Sequence, residues 1–450
     1  MIRKYAFFFL ILPLFLFIPG CRQEKVPEAY KPSNAHEAYL HSLYQANLAE
    51  TALGQDWISA AKKALQEPID VSLPFEEVFY VDPSEAMAVA YRFDVKRGQR
   101  VELDVFYAGQ RPCRLFIDGY RVRGESEQDW LHVASANESE KRLSYEPRQD
   151  AQYVIRLQPE LLRGGEFRIT LRKAASLEFP VFGKDCGAIQ SGFGAPRDGG
   201  QRTHHGVDIF AKRHTPILAP SDAYVEHVGE SEVGGRTIWL YDSKRRIYQY
   251  FAHLQTQEVQ LNEHVKAGQQ IGTVGNTGNA RTTPPHLHFG IYASGPVDPE
   301  PFITKINNVP KPVSADLSVL GTWVRSKNRD ASLRISADGH SERITSLDKD
   351  LPMRIVAAAS VWYRVLLPDG TSGYIYEQNV EAADDYLERH EVFLAQAVSE
   401  APFFNAAIKE RLEAGDIYFV LGLYKGYWLI RTQQGQTGWT PIPTLPADNL

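Results

Sequence analysis

The sequence predicts a mainly β, multidomain protein. Its 450 residues exceed the usual size of one domain. Apolar and polar residues alternate with period two, as in half-buried strands, at residues 101–105 and again at 167–171. Helical spacing marks an early stretch, and two related units rich in Trp and Gly follow residue 310. The formal net charge of −6 gives no support to nucleic-acid binding.

The first 20 residues have the pattern of a signal peptide. Arg3 and Lys4 precede an apolar stretch, residues 5–18, that is shorter than the roughly 20 residues of a membrane span. The segment then ends Ile-Pro-Gly-Cys, which resembles the bacterial lipobox and predicts a lipidated Cys21 as membrane anchor. Arg22 at the next position favours the outer membrane, facing the periplasm. A secreted protein with a free Cys21 is the alternative.

A tether and a helical segment come next. Residues 21–36 are polar and contain proline, as expected of a tether between membrane and body. Apolar residues then recur at helical spacing through residues 37–68, around Leu43 and Trp57, until Pro68. The pattern predicts a helical pair or one broken helix.

Residues 69–176 predict a β-sandwich. Asp118-Gly119 lies between two apolar runs, which indicates a hairpin turn at that point. Cys113 in this segment and Cys186 in the next are the two cysteines left after Cys21, an even pair in an oxidising compartment. One disulfide and two separate buried thiols are both open.

Two motifs in the following segment carry the candidate chemistry. His204 and Asp208 lie four residues apart, and His286 and His288 are separated by one residue some eighty positions later. On a strand, His286 and His288 share a face, with their Cα atoms roughly 6–7 Å apart. A catalytic zinc typically keeps three protein ligands and one open place for water. Two histidines and a carboxylate fit that rule.

A residue other than the three candidate ligands must carry the proton during hydrolysis. The chain contains no His-Glu-x-x-His motif, so the glutamate base of thermolysin-like enzymes is absent. His253, at the end of a strand-like run, and His286 are the available groups with suitable pKa values.

From about residue 180 to 303 the chain resembles the lysostaphin/LytM-type peptidoglycan endopeptidases. The resemblance includes the site motifs and the scaffold around them, namely Ser-Gly-Phe-Gly at 191–194, Thr-Pro-Ile-Leu-Ala-Pro at 215–220 and Val-Lys-Ala-Gly at 265–268. It implies a β-sheet peptidase domain over residues 177–306. It also implies one Zn²⁺ held by His204, Asp208 and His288, with His253 and His286 as the catalytic pair.

Other residues near the motifs have alternative interpretations. The glycine-rich residues 274–279 lack the Lys-Ser/Thr ending of a phosphate-binding loop and indicate tight turns. We expect His205 on a groove wall or the surface. His214 occupies a turn position where the family usually has glycine. Arg197 is either a cleft residue or a solvated loop arginine.

Two related units close the chain, at residues 314–381 and 386–446. Trp362 with Gly-Thr-Ser-Gly-Tyr at 370–374 recurs as Trp428 with Gly-Gln-Thr-Gly-Trp at 435–439. Both units resemble bacterial SH3-like β-barrels, which often bind peptidoglycan in cell-wall enzymes. Their aromatic residues also suit a barrel core, so wall binding and packing are both open.

Together these patterns predict a lipid-anchored, zinc-dependent endopeptidase that hydrolyses peptide crosslinks or stems of peptidoglycan. Two alternatives belong to other classes. One is a catalytically idle relative that activates cell-wall amidases, and the other is a structural wall-binding lipoprotein. The presence of all expected ligands argues against an idle relative. The oligomeric state and the bond that is cut are not defined by the sequence.

Overall fold

The computed structural model describes residues 31–443, apart from residues 125, 127, 128, 138, 139 and 307. The predicted signal peptide, Cys21 and most of the predicted tether lie outside the described residues. None of the described helices has the length and apolar character needed to cross a membrane. The described chain is mainly β and contains several sheets, as the sequence predicts.

Two helices open the described chain: α1 (Ala35–Gln45) and α2 (Ala52–Gln66). Each begins at a capping side chain, because Asn34 and Thr51 accept hydrogen bonds from the free backbone N–H groups of the first turn. Trp57 of α2 is buried and donates its indole N–H to the carbonyl of Pro159 at 2.9 Å. The pair is therefore fixed against the following β-sandwich.

Over its described residues, the sandwich consists of nine strands in two sheets. They are β1 (Ile69–Asp70), β2 (Phe75–Val81), β3 (Val89–Val95), β4 (Gln99–Ala108), β5 (Leu115–Arg121), β6 (Leu131–Ser135), β7 (Arg142–Tyr145), β8 (Ala151–Pro159) and β9 (Gly165–Ala175). One sheet has the order β1-β3-β8-β5-β6, and the other contains β2-β9-β4-β7. Apolar side chains at alternate positions fill the space between them, including Tyr91, Leu103 and Phe167.

The hairpin predicted at Asp118-Gly119 is wrong, because β5 runs straight through both residues. Asp118 lies opposite Arg156 on β8, and the two form a buried ion pair with Nη2 and Oδ2 2.6 Å apart. Ser135 also donates to Asp118, at 2.6 Å. A carboxylate with these partners is stable inside a strand, so the local turn signal is overridden by tertiary contacts.

The central unit, residues 177–306, is built around a larger antiparallel sheet. The strands of this unit are β10 (Ile189–Ser191), β11 (Pro196–Arg197), β12 (Arg202–Thr203), β13 (Val207–Phe210), β14 (Pro216–Leu218), β15 (Ala223–Ser231), β16 (Gly235–Asp242), β17 (Ile247–Gln257), β18 (His264–Val265), β19 (Gln270–Val274), β20 (His286–Tyr292) and β21 (Pro296–Val297), followed by α3 (Glu300–Ile303). Strands β11 and β12 form a separate two-stranded sheet. The main strand order is β10-β13-β20-β17-β16-β15-β18. One face of this sheet packs on a core that includes Leu287, Phe289 and Phe251. The opposite face carries the candidate site.

Two small β units follow and share one pattern of strand pairing. The first contains β22 (Trp323–Ser326), β23 (Ala331–Arg334), β24 (Arg343–Leu347), β25 (Pro352–Ala359), β26 (Trp362–Leu366), β27 (Ser372–Tyr376) and β28 (Val380–Ala382). The second contains β29 (Glu388–Glu391), β30 (Gln396–Ser399), β31 (Ile408–Leu412), β32 (Ile417–Tyr424), β33 (Tyr427–Thr432) and β34 (Thr437–Pro441). The pairings of β22 to β27 recur in β29 to β34, which agrees with the related sequence units.

The first of these units is joined to the sandwich by a continuous sheet. Strand β2 pairs with β25 through two register positions, so an 11-stranded sheet crosses from one unit to the other. At this junction Glu77 is fully buried and pairs with Arg364, whose Nη2 lies 3.0 Å from Oε2. The hydroxyl groups of Tyr374, at 2.7 Å, and Tyr91 also donate to this carboxylate. The two segments are therefore one packed body at this boundary.

The two remaining cysteines are free. Cys113 is buried, and burial raises the pKa of its thiol to about 11. Cys186 is exposed. The structure contains no disulfide between them, and the alternative of two buried thiols is correct only for Cys113.

Candidate metal centre

The sheet register brings Asp208 and His288 together. Strands β13 and β20 are antiparallel, and Asp208 is paired directly with His288. Directly opposite residues share a face, so both side chains point away from the core. His286 lies two residues before His288 and therefore reaches the same face, where its ring stacks on Phe210 at 5.0 Å. The local pattern of the two strands thus explains three of the five predicted site residues.

His204 is held by the Ser-Gly-Phe-Gly segment rather than by a strand. Its backbone N–H donates to the carbonyl of Ala195, and its own carbonyl accepts from Gly194, both at 2.9 Å. Its ring Nδ1 lies 2.8 Å from the carbonyl of Gly192 and therefore donates to it. This bond leaves Nε2 with a free lone pair, which is the form that binds a metal ion.

Three ligand atoms form an almost equilateral triangle. Nε2 of His204, Oδ1 of Asp208 and Nδ1 of His288 are separated pairwise by 3.0 Å. A tetrahedral zinc ion with bonds of about 2.0–2.1 Å spaces its ligands by roughly 3.3 Å. The three side chains therefore offer the donor types and the spacing that a small divalent ion requires.

Gly206 makes room for this triangle. A Cβ atom at residue 206 would lie 2.7 Å from Cε1 of His288 and 2.6 Å from the carbonyl oxygen of Phe289. Both distances are far shorter than a van der Waals contact, and the carbonyl cannot move without breaking the sheet. A side chain at this position would displace the His288 ring from Asp208.

Arg197 completes the surroundings of Asp208. Its guanidinium donates to Oδ2 of Asp208 and, at 2.8 Å, to Oγ of Ser191. Oδ1 is thereby left to face the two histidines, so the carboxylate has one oxygen for a metal and one for the arginine. Of the two interpretations of Arg197, the structure supports the cleft residue. Sequence reasoning quoted Ser191 only as part of the scaffold, and its role in holding Arg197 was missed.

A β-bulge turns His253 toward the site. Ala252 is paired with His288 and shares its face, so regular extended backbone would point His253 into the core. Two residues of β17 oppose one residue of β16 at this point, and His253 has a φ of 63°. Bulges of this kind redirect a side chain. The ring of His253 lies 5.0 Å from that of His286 and 6.1 Å from that of His288.

The two histidines outside the triangle have the same tautomer. Nδ1 of His253 lies 2.9 Å from the carbonyl of Thr277, and Nδ1 of His286 lies 2.9 Å from that of Pro284. A carbonyl only accepts, so each Nδ1 carries the proton and each Nε2 keeps a lone pair. Both side chains are almost completely buried. The 274–285 segment therefore fixes the protonation pattern of the pair.

Burial and neighbouring charges shift the pKa values of three groups. Burial and the adjacent His286 lower the pKa of His253 to about 4. Burial opposes ionisation of Asp208, but its contacts with the side chains of His204 and His288 outweigh it and hold its pKa well below the usual range. Burial lowers the pKa of His288, although Asp208 partly counteracts this. The set consists of one carboxylate and neutral imidazoles, which is the state that binds a cation.

The other two histidines near the motif do not join the site. His205 is exposed, as expected for a surface or groove-wall residue. His214 has a φ of 67°, so it adopts at the turn the left-handed backbone that glycine adopts more readily. Its N–H donates to the carbonyl of Val274 at 2.9 Å.

A triangle of two histidines and one aspartate, with two further histidines beside it, defines a mononuclear metallohydrolase type of site. Comparison with known families agrees with this class. Residues 202–299 match the model described as peptidase family M23, and residues 327–381 match the model described as bacterial SH3 domain. The chain thus contains an M23, LytM-type peptidase domain together with a bacterial SH3 domain.

Among curated proteins, the chain is similar to the peptidoglycan DD-endopeptidase ShyC of Vibrio cholerae. The two are 39% identical over 100 residues, which are 22% of each chain. It is also 39% identical over 101 residues to the L-Ala--D-Glu endopeptidase of Bacillus subtilis, covering 21% of this chain and 31% of that protein. The chain therefore spans only about a fifth to a third of the length of these curated relatives.

Among solved structures, the chain is similar to the catalytic domain of the antimicrobial peptidase lysostaphin from Staphylococcus simulans. That domain is 37% identical to this chain, and the match covers 25% of this chain and 87% of the domain, with a TM-score of 0.23.

Proposed function

We propose that this protein is a zinc-dependent endopeptidase that hydrolyses peptide crosslinks or stems of bacterial peptidoglycan. The observation that carries the proposal is the triangle of His204, Asp208 and His288, with ligand atoms 3.0 Å apart, beside the two tautomer-fixed histidines. The match to peptidase family M23 and the similarity to peptidoglycan endopeptidases support the substrate class.

His204, Asp208 and His288 would hold the metal ion. Zinc in such a site supplies a Lewis acid, which polarises a carbonyl and lowers the pKa of water to about 7. Arg197 keeps the carboxylate of Asp208 in one orientation. The carbonyl of Gly192 does the same for the ring of His204.

His253 and His286 move the proton in this proposal. Each has a lone pair on Nε2, because Nδ1 donates to a backbone carbonyl. A neutral imidazole of this kind accepts a proton from the attacking water, and the imidazolium then donates it to the departing amine. The imidazolium also stabilises negative charge on the scissile carbonyl oxygen. The two rings lie side by side, so they are suited to these two tasks on neighbouring atoms.

A groove on the first SH3-like unit supports attachment to the cell wall. It has a volume of about 460 Å³ and is lined by Trp362 and Tyr376, whose rings lie 5.5 Å apart, together with polar side chains such as Arg329. Partly exposed aromatic residues with polar neighbours are typical of binding surfaces. Trp439 of the second unit, in contrast, is buried in a cluster that also contains residues of the first unit, and its ring lies 5.9 Å from that of Trp323.

We further propose that Cys21 is lipidated and holds the protein at the outer membrane, facing the periplasm. The support is the sequence pattern alone, since Cys21 lies outside the described residues. Replacing Cys21 with Ser should move the protein from the detergent phase to the aqueous phase in a partitioning experiment. An unchanged membrane fraction would show that another feature anchors the chain.

Digestion of defined crosslinked muropeptides tests the enzymatic proposal, with products identified by mass. Cleavage at one peptide bond is the expected result, and the product masses reveal which bond. An intact substrate in the presence of bound zinc, together with stimulation of a purified amidase, would instead support the idle regulator. The His286→Ala variant is the matched control for contaminating hydrolases.

A further inference from the structure

The open face of the central sheet carries aromatic residues in register beyond the metal site. A row here means residues that are paired directly across neighbouring strands. Two residues along the strands from the row that contains Asp208 and His288, Tyr250 is paired with Gly290 on one side and with Trp239 on the other. The row after that contains four tyrosines, paired across four strands. This tyrosine row consists of Tyr292 on β20, Tyr248 on β17, Tyr241 on β16 and Tyr224 on β15.

These side chains share one face of the sheet, here called the aromatic platform, made of the tyrosine row together with Trp239 and Tyr250. The ring of Tyr250 lies 5.8 Å from that of His288 and 4.4 Å from that of Trp239. Trp239 in turn lies 5.2 Å from Tyr292. Tyr250, Trp239 and Tyr292 therefore form a ring cluster beside His288. Tyr241 and Tyr248, whose rings lie 4.9 Å apart, continue the platform along the tyrosine row.

The platform is accessible although the opposite face of the same strands is packed. Tyr248 is 40% exposed and Tyr224 is 47% exposed, and the other four members are partly exposed. Adjacent strands are about 4.8 Å apart, so four tyrosines in a row cover roughly 14 Å. A cluster of exposed aromatic side chains on one face of a sheet indicates a binding surface.

The position of the Tyr292 ring depends on Gly290. This residue lies between the metal row and Tyr292, and a Cβ atom there would lie 2.9 Å from the Tyr292 ring and 3.0 Å from the carbonyl of His205. Because residue 290 has no side chain, the Tyr292 ring can lie over its backbone, with its centre 5.2 Å from that of Trp239.

The chemistry of the platform favours an uncharged ligand. None of its six side chains carries a charge at neutral pH. Burial raises the pKa of Tyr250 to about 12, with Tyr292 as the only ionisable neighbour that contributes. Burial alone raises the pKa of Tyr292. A peptide stem with free carboxylates would gain no ion pair from these six side chains, whereas neutral rings with polarised C–H groups are attracted to aromatic faces.

We propose that the aromatic platform binds the sugar rings of a glycan strand, so that the peptide attached to that strand reaches the metal triangle. The inference rests on the proposed endopeptidase function for its substrate, but binding itself needs no turnover. The platform would give the enzyme a preference for peptides that are still attached to sugar.

The binding test uses the tetramer of β-1,4-linked N-acetylglucosamine as probe and the full-length His286→Ala protein, whose turnover we expect to be about 10²–10⁴-fold lower. We expect saturable binding by calorimetry and a change in tryptophan fluorescence. Adding Tyr248→Ala should weaken binding by about tenfold, as expected for loss of one stacked ring. Tyr248→Phe keeps the ring and should restore the affinity. Tyr44→Ala, an exposed tyrosine of α1, is the matched control.

Equal affinities of the Tyr248→Ala and control proteins would overturn the proposal, as would the absence of binding. A kinetic test separates sugar from peptide recognition, by comparing kcat/KM for a crosslinked disaccharide-peptide and for the same peptide without sugar. Tyr248→Ala should lower the ratio of the two values by about tenfold. An equal loss on both substrates would assign the platform to the peptide and reject the glycan. A wild-type protein that cleaves neither substrate would reject only the endopeptidase function, because the binding test remains decisive for the platform.

Discussion

Oδ1 of Asp208 and Nδ1 of His288 lie 3.0 Å apart because the two residues are paired directly across strands β13 and β20. Two of the three candidate ligands are thus positioned by the hydrogen-bonded sheet. The third, His204, is held by backbone contacts of the segment that precedes β13. A site whose geometry is fixed before the metal binds needs little reorganisation to take up an ion.

Loss of one ligand should remove the metal. Asp208→Ala or His204→Ala leaves two donors, which do not hold zinc firmly, so we expect less than stoichiometric zinc and no turnover. Metal analysis of the purified proteins measures this. His205→Ala is the matched control, since His205 is adjacent but exposed. Full zinc content in both ligand variants would contradict the assignment.

Loss of a proton-carrying histidine should spare the metal. We expect His253→Ala and His286→Ala to keep one zinc per chain and to lower kcat by about 10²–10⁴-fold, the usual contribution of general acid–base groups. Parallel metal analysis and kinetics test this. A zinc-free protein in either case would mean that a ligand had been mistaken for a catalytic residue.

Arg197 should affect metal affinity through Asp208. Removing its guanidinium frees Oδ2 and loosens the carboxylate, so Arg197→Ala should weaken zinc binding by about 10–100-fold, as for other groups that orient a ligand. Competition with a chelator measures the affinity. Arg213→Ala is the matched control, because Arg213 also donates two hydrogen bonds, to Gln255 and Asn276, but does not contact a ligand. Equal affinities of the two variants would remove Arg197 from the site.

The buried pair of Glu77 and Arg364 should dominate the stability of the junction between the sandwich and the first SH3-like unit. Glu77→Gln leaves a buried guanidinium without its counter-charge, which costs about 3–5 kcal/mol. Glu85→Gln breaks the exposed pair with Arg354 across the same boundary and should cost about 1 kcal/mol or less. Urea unfolding compares the two. Similar losses would show that burial of the pair has no special effect.

The contact between Glu77 and Arg364 also affects how a truncated protein should be interpreted. A chain that ends near residue 310 lacks β25 and Arg364, so the edge of β2 and the carboxylate of Glu77 lose their partners. Such a chain tests the stability of the sandwich as well as wall targeting. Single substitutions in the groove, such as Trp362→Ala, test wall binding without this complication.

His36 should make stability depend on pH. Burial lowers the pKa of His36 to about 4, and nearby Arg156 adds to the effect. The unfolded chain takes up a proton near the ordinary value of 6.5 while the folded chain does not, so stability is lost as the pH falls from 6.5 to about 4. The total loss is about 3 kcal/mol. Urea unfolding of the wild type at several pH values should show this slope, and His36→Phe should show a smaller one. Identical slopes would refute the role of His36.

The sequence predicted the fold class and named the five site residues that lie close together in the structure. It could do so because strand alternation and residue spacing are local properties. It did not predict the bulge at His253, which depends on the register between β16 and β17. It also left Arg197 undecided, because its contact with Asp208 arises from the folding back of β11. The pairing of β2 with β25 joins residues more than 270 positions apart and has no local signal. At Asp118 the local turn signal was wrong for the same reason, since Arg156 decides the conformation.

The most direct test of zinc-dependent hydrolysis at this site is the digestion of one defined crosslinked muropeptide by the full-length protein, before and after removal of metal. The account predicts cleavage, its loss after dialysis against a chelator, and its recovery on addition of one equivalent of zinc per chain. Asp208→Ala should remain inactive after the same addition. Cleavage by Asp208→Ala at the wild-type rate, or no cleavage by wild-type protein that holds one zinc, would contradict it.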